Sequence, residues 1–214
     1  MPRTSNTSEA AIPRLVGIRQ VSDGWIKKYV LAYAMPDGST YEYESASRKS
    51  IDAYRAELEG NARGEQPVAD AVCIVPQTPD GNLLLIREFR YPLNSWCIAF
   101  PAGLKEPGES LAACVDRELR EETGYALRAE ADCANAPALE PLPQAGYSST
   151  GLTDETVHVV FAQVEQVSTA QPEPNEFIEP FLLAVDDVPR FLAENRTPIG
   201  TRAQLVLETF ARRR

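Results

Sequence analysis

The sequence predicts an α/β chain, with a small antiparallel β-sheet at the N-terminus followed by a larger domain of strands and helices. Three observations carry that prediction. Residues 25–33 and 40–44 are rich in aromatic and β-branched residues and flank the turn Met35-Pro36-Asp37-Gly38. Residues 68–75, 82–89 and 96–100 form three more strand-like runs. Residues 110–123 place Leu111, Val115 and Leu119 on one stripe at helical spacing.

In chain order, residues 1–13 are small and polar and read as a flexible tail. Residues 14–48 read as a three-strand meander, with apolar groups on both faces of 25–33 that a small sheet cannot bury alone. The N-terminal β region is bounded at 14–60 and the main domain at 61–214, with polar residues 49–66, including Gly60 and Gly64, read as a linker. In the main domain, Pro79-Asp80-Gly81 is a turn between two strands. Ser110 is the expected N-cap of the helix, and Gly124 its stop. Residues 134–150 hold three prolines and read as a loop. Strands are expected over 156–164 and 177–184, and helices over 186–195 and 204–213. The closing Arg212-Arg213-Arg214 reads as a solvated end.

Composition excludes several classes. The 214 residues carry a formal net charge of −10, which argues against nucleic acid or an anionic membrane as the main partner. Cys73, Cys97, Cys114 and Cys133 form no CxxC pair, and His158 is the single histidine, so a structural zinc site is not expected. The cysteines read as buried thiols in a reducing compartment, and His158, in Thr-Val-His-Val-Val, as a structural strand residue. No signal peptide and no apolar run of 18 residues is seen, so a cytoplasmic location is expected.

The most specific stretch is residues 103–125, GLKEPGESLAACVDRELREETGY. Glu118, Glu121 and Glu122 fall at i, i+3 and i+4, on one helical face. Adjacent carboxylates repel unless they are solvated or hold cations, and hard divalent ions such as Mg²⁺ take oxygen ligands alongside phosphate oxygens. Arg117 is spaced to pair with Glu121, and Gly103 and Gly108 permit a tight loop before the helix. A merely solvated acidic helix would match this spacing by chance at roughly 10⁻⁹ per start position, which disfavours that reading.

On those residues the chain resembles the Nudix hydrolase family, with Tyr125 standing where an aliphatic residue is usual. The resemblance implies a Nudix α/β/α sandwich with a mixed sheet and hydrolysis of a nucleoside diphosphate linked to a second group. It implies Glu118 and Glu122 as main metal ligands, Glu121 as a helper, the Ala102 carbonyl as a further ligand, and Glu109, Gly103 and Arg117 as braces of loop and helix. The cofactor it implies is Mg²⁺, with Mn²⁺ possible.

The flanks Arg87-Glu-Phe-Arg90-Tyr-Pro92, Trp96-Cys-Ile-Ala-Phe-Pro101-Ala102-Gly103 and Ser149-Thr-Gly151-Leu-Thr-Asp154-Glu155 look like the ADP-ribose pyrophosphatase branch. Ala99 and Thr150 depart from it, where Glu and Pro are usual. That branch implies a homodimer through the N-terminal sheet, with aromatics stacked on the base, and Trp25 and Tyr43 are the matching candidates. Arg48 and Arg90 are candidates to grip diphosphate or ribose. Glu155 is implied as the group that activates water, with Asp154 as the neighbouring alternative.

The expectation is therefore a Mg²⁺-dependent pyrophosphatase that splits ADP-ribose or a related nucleoside diphosphate sugar into a nucleoside monophosphate and a sugar phosphate. GDP-mannose or another sugar nucleotide is an alternative substrate. A non-catalytic module that senses a nucleotide sugar is the alternative from another class.

Overall fold

The computed structural model describes residues 12–133 and 137–212. The predicted tail lies outside these up to residue 11, as do Arg213 and Arg214. Among the described residues the chain forms two compact units: one holds residues 12–67 together with Tyr147–Glu155, the other the remainder of the chain from Val68.

In the smaller unit, strands β1 (Arg14–Gln20), β2 (Lys27–Ala34) and β3 (Thr40–Ser47) form the expected antiparallel meander. Residues 49–66 are not a linker: Ile51–Ala62 is helix α1. Ser50 caps it, its side chain accepting from the Ala53 N–H. Beyond alanine its apolar residues are Ile51, Tyr54 and Leu58, so its apolar stripe is thin. The helix is fixed by packing, since buried Tyr54 meets the ring of buried Tyr29 edge-on at 5.1 Å.

The larger unit is an α/β/α sandwich. Its sheet runs β11 (Thr156–Gln166), β4 (Ala71–Gln77), β5 (Asn82–Arg90), β12 (Ile178–Ala184) along its main path. β11 and β4 are parallel and the other pairs antiparallel, giving a mixed sheet. Strands β6 (Ser95–Ala99) and β7 (Ala102–Leu104) add to β5 and β4. Alternation along β4 assigns the two faces. Ala71, Cys73 and Val75 pack with Val188, Ala203 and Leu207 of helices α3 (Val188–Glu194) and α4 (Thr201–Ala211). Val72 and Ile74 pack with Cys114, Val115 and Leu119 of helix α2 (Leu111–Thr123).

Residues 134–150 are not wholly loop. The segment contains β9 (Leu139–Pro141), paired with β11, and the two-residue β10 (Gly146–Tyr147); β8 (Tyr125–Leu127) precedes it. Pro141 sits at the last residue of β9, where a missing N–H is tolerated. His158 is a strand residue of β11 whose Nε2 lies 2.8 Å from the Leu142 carbonyl oxygen. All four cysteines are free, and Cys73, Cys97 and Cys114 are buried. No helix among the described residues is long and apolar enough to cross a membrane.

Candidate active site

Helix α2 begins and ends as its sequence dictates. The Ser110 side chain accepts from the Ala113 N–H, and Gly124 closes the helix at φ +76°. A Cβ at Gly124 would come within 2.5 Å of the Ser168 carbonyl oxygen, so glycine is needed there for space as well as conformation. Between these ends the helix buries Val115 and Leu119 against the sheet, which turns Glu118 and Glu122 towards β7.

Both carboxylates are deeply placed: Glu118 is 8% exposed and Glu122 4%. Glu122 accepts from the Ala102 N–H at 3.1 Å. At Gly103 a Cβ would overlap the Glu118 carboxylate, so only glycine lets that carboxylate keep its place against the strand. Arg117 is the clamp. Its Nη1 reaches Glu118 at 2.7 Å and Glu121 at 3.2 Å, its Nε reaches Glu109 at 2.9 Å, and Nη2 donates to the Leu104 carbonyl at 3.0 Å. Glu109 in turn accepts from the Glu106 N–H, bracing the loop before the helix.

The electrostatics follow from this packing. Burial pushes the Glu122 carboxyl well above its ordinary range, and the neighbouring charges of Glu118 and Glu88 push it further. Burial also raises Glu118, with Arg117 opposing. The Arg117 guanidinium holds Glu109 down at about 2. Two buried carboxylates offer a hard-oxygen donor set of the kind that hard divalent cations take. Among the described residues, no three His, Cys, Asp or Glu side chains are grouped closely enough to cage a metal by themselves. Magnesium commonly retains waters and takes oxygens from bound phosphates.

Glu88 was not singled out from the sequence. In β5 the alternation that sends Leu83 and Leu85 to the α3–α4 face sends Leu84, and by the same period Ile86 and Glu88, to the α2 face. Register pairs Ile86 with Ala99 and Glu88 with Cys97, so Glu88 and Ala99 share that face. The signal that could have found it is the single acid of β5 opposite β6, a strand that carries none. Glu176, in the segment before β12, also adds to the acidic field at Glu122 and Glu88.

The remaining candidates are distributed as follows. Arg90 closes β5, half-exposed and 2.9 Å from Glu88. Arg87 stacks over the Trp96 ring at 4.4 Å. In the smaller unit Arg48 and Glu155 are brought together as an ion pair at 2.7 Å. Tyr43 lines a cavity of about 850 Å³ with Tyr33, Tyr41, Tyr54 and Tyr147. Trp25 lies in the bend before β2, 74% exposed and not part of that lining.

The family model for the NUDIX domain matches residues 67–202. The chain belongs to the Nudix hydrolase family. Among similar proteins, an ADP-sugar pyrophosphatase of Mus musculus is 31% identical over 179 residues, covering 78% of this chain and 72% of its own. An ADP-ribose pyrophosphatase of Saccharomyces cerevisiae is 31% identical over 177 residues, 80% of this chain and 70% of its own. One from Bacillus subtilis is 33% identical over 157 residues, 70% of this chain and 79% of its own. These relatives place the Nudix chain in the ADP-ribose pyrophosphatase-like branch. A crystal structure of an ADP compounds hydrolase superposes with a TM-score of 0.68 at 22% identity, covering 94% of this chain and 92% of its own, and shares the fold.

Proposed function

We propose that this Nudix hydrolase is a Mg²⁺-dependent pyrophosphatase acting on ADP-ribose or a related nucleoside diphosphate sugar, with a nucleoside monophosphate and a sugar phosphate as products. The observation that carries the reading is the pair of buried carboxylates, Glu118 and Glu122, set against Gly103 and clamped by Arg117. The names of the relatives support the substrate class.

Glu118 and Glu122 would hold the metal, with Glu121 and the Ala102 carbonyl assisting. Bound Mg²⁺, or Mn²⁺ in its place, supplies charge neutralisation to the diphosphate and acidifies water. Arg117 keeps the Glu118 and Glu121 carboxylates aimed in common, and Glu109 and Gly103 keep the loop and strand at that distance. Arg90 is the guanidinium we assign to the diphosphate; its side chain is 50% exposed. Glu155 accepts the water's proton. Trp25 and Tyr43 stack on the base, supported by the open indole of the first and by the second's place in a cavity of ligand size. The products follow from attack of water at one phosphorus with loss of the other phosphate as leaving group, a displacement that needs positioning and charge more than covalent help.

We also propose a homodimer formed through the N-terminal sheet, supported by exposed Val16, Trp25, Ile26 and Tyr41 in that unit. A cytoplasmic setting is supported by the free buried thiols. The net charge of −10 speaks against nucleic acid as a partner. The test is phosphate release, coupled through an added phosphatase, with Mg²⁺ and ADP-ribose, ADP-glucose, GDP-mannose, NADH or ATP. Dominant ADP-ribose turnover is expected, and silence across the panel would overturn the catalytic reading in favour of a sensing module.

A further inference from the structure

In the smaller unit the segment ending at Glu155 lies along strand β3 as a short parallel partner. Tyr43 Oη donates to the Gly151 carbonyl at 2.6 Å. The Ala46 N–H donates to the Leu152 carbonyl at 2.9 Å, and Ala46 forms a parallel bridge with Thr153. Ser47 Oγ donates to Asp154 Oδ2 at 2.9 Å. Arg48 then meets Glu155 at 2.7 Å. The pairs 46 with 153, 47 with 154 and 48 with 155 advance together, so one register sets the whole segment.

The next residue locks that register. Lys49 Nζ lies 3.0 Å from Asp154 and 2.8 Å from Glu57 of α1. Asp154 is 7% exposed and takes hydrogen bonds from both Ser47 and Lys49, so it anchors the segment. Ser148 Oγ donates to the second Glu155 oxygen. The Glu155 carboxylate is therefore held from two sides, by Arg48 and Ser148, about a quarter exposed as is Arg48.

We propose that Arg48 is a positioning residue that acts on the reaction through the Glu155 carboxylate, and that β3 with Lys49 and Asp154 forms the bed on which this carboxylate is carried. The inference rests on the reading of Glu155 as the proton acceptor. A planar guanidinium is suited to the task because it fixes the orientation of a carboxylate as well as its charge. The N-terminal sheet thereby acquires a role in proton transfer beyond contact with a base.

The test is a double-mutant cycle in the full chain with Mg²⁺ and ADP-ribose, using Arg48→Ala, Glu155→Gln and the pair, with Arg48→Lys as the conservative control. A misplaced catalytic group commonly loses on the order of 10- to 100-fold in rate, so Arg48→Ala should lower kcat by about that factor with KM nearly unchanged. Arg48→Lys should recover part of it, and Arg48→Ala should cost nothing further once Glu155 is Gln. An equal rise in KM in both backgrounds would overturn the proposal and make Arg48 a substrate grip. Full kcat in Glu155→Gln would instead overturn the proton-acceptor reading. A second measurement separates the two failures: amide hydrogen exchange without substrate should quicken over residues 151–155 in Arg48→Ala and in Lys49→Met. Unchanged protection there would remove the bed itself, whatever Glu155 does.

Discussion

Glu122→Gln separates the metal reading from a purely structural one, because the two expect opposite changes in stability. The substitution keeps shape and leaves an oxygen to accept from the Ala102 N–H. Losing the charge on that acceptor costs about 1 kcal/mol, the difference between a charged and a neutral hydrogen bond. Against this stands the burial of an anion 4% exposed beside Glu118, whose effective penalty in proteins is of the order of several kcal/mol. The net expectation without metal at pH 8 is a gain of roughly 2 kcal/mol, and a chain of this size moves about 2–4 °C in Tm per kcal/mol. The sign with pH is fixed by the direction of the shift. A carboxyl raised on folding stabilises the fold while it keeps its proton, so its contribution is full below its unfolded value of about 4.3 and is lost as pH rises through the raised one. The advantage of the Gln variant should therefore widen from pH 5 to pH 8. With Mg²⁺ the order reverses: the wild type should gain about 2.7 kcal/mol at a hundredfold excess over Kd, while the variant gains little and loses more than about 100-fold in turnover. Calorimetry at several pH values with and without Mg²⁺ reads all of this. A variant that melts below wild type at pH 8 without metal, or that keeps the full Mg²⁺ shift, refutes the argument.

Three further outcomes are expected. Gly103→Ala should leave the sheet folded but drive the Glu118 carboxylate from its place, cutting Mg²⁺ affinity by about 10- to 100-fold on titration calorimetry. Arg117→Lys should keep the charge yet lose the fork that holds Glu109, Glu118 and the Leu104 carbonyl together; since Glu109's contribution is present above its unfolded pKa and lost as pH falls towards about 2, the acid-unfolding midpoint should move to higher pH, as followed by circular dichroism. Glu88→Gln should bring Glu122 closer to an ordinary carboxyl, and a downward shift in the acid limb of the Mg²⁺-binding pH profile would record it.

The parts of the site that could be read from sequence are those whose chemistry is local. Ser110, Gly124 and the Glu118–Glu121–Glu122 spacing lie within one helix, where i, i+3 and i+4 fix neighbours without knowledge of the fold. Arg117 reached Glu121 as its spacing requires, but its bonds to Glu109 and Leu104 depend on how the preceding loop returns. Helix α1 is not legible in the sequence because it is held by packing such as Tyr54 on Tyr29, a contact 25 residues away. Glu88 required knowing which strand faces which helix. The pairing of Arg48 with Glu155 joins segments more than a hundred residues apart, and no periodicity records it.

The thiols have a practical consequence. Burial drives Cys73 up to about 11 and Cys114 up to about 12, and raises Cys97 as well. A thiol that keeps its proton at neutral pH is a poor nucleophile towards maleimides and disulfide reagents. Cys133 is the one that is not buried. The native chain thus offers a ready single attachment point for a spin label or fluorophore, on the segment after β8, with no need to remove the other three cysteines.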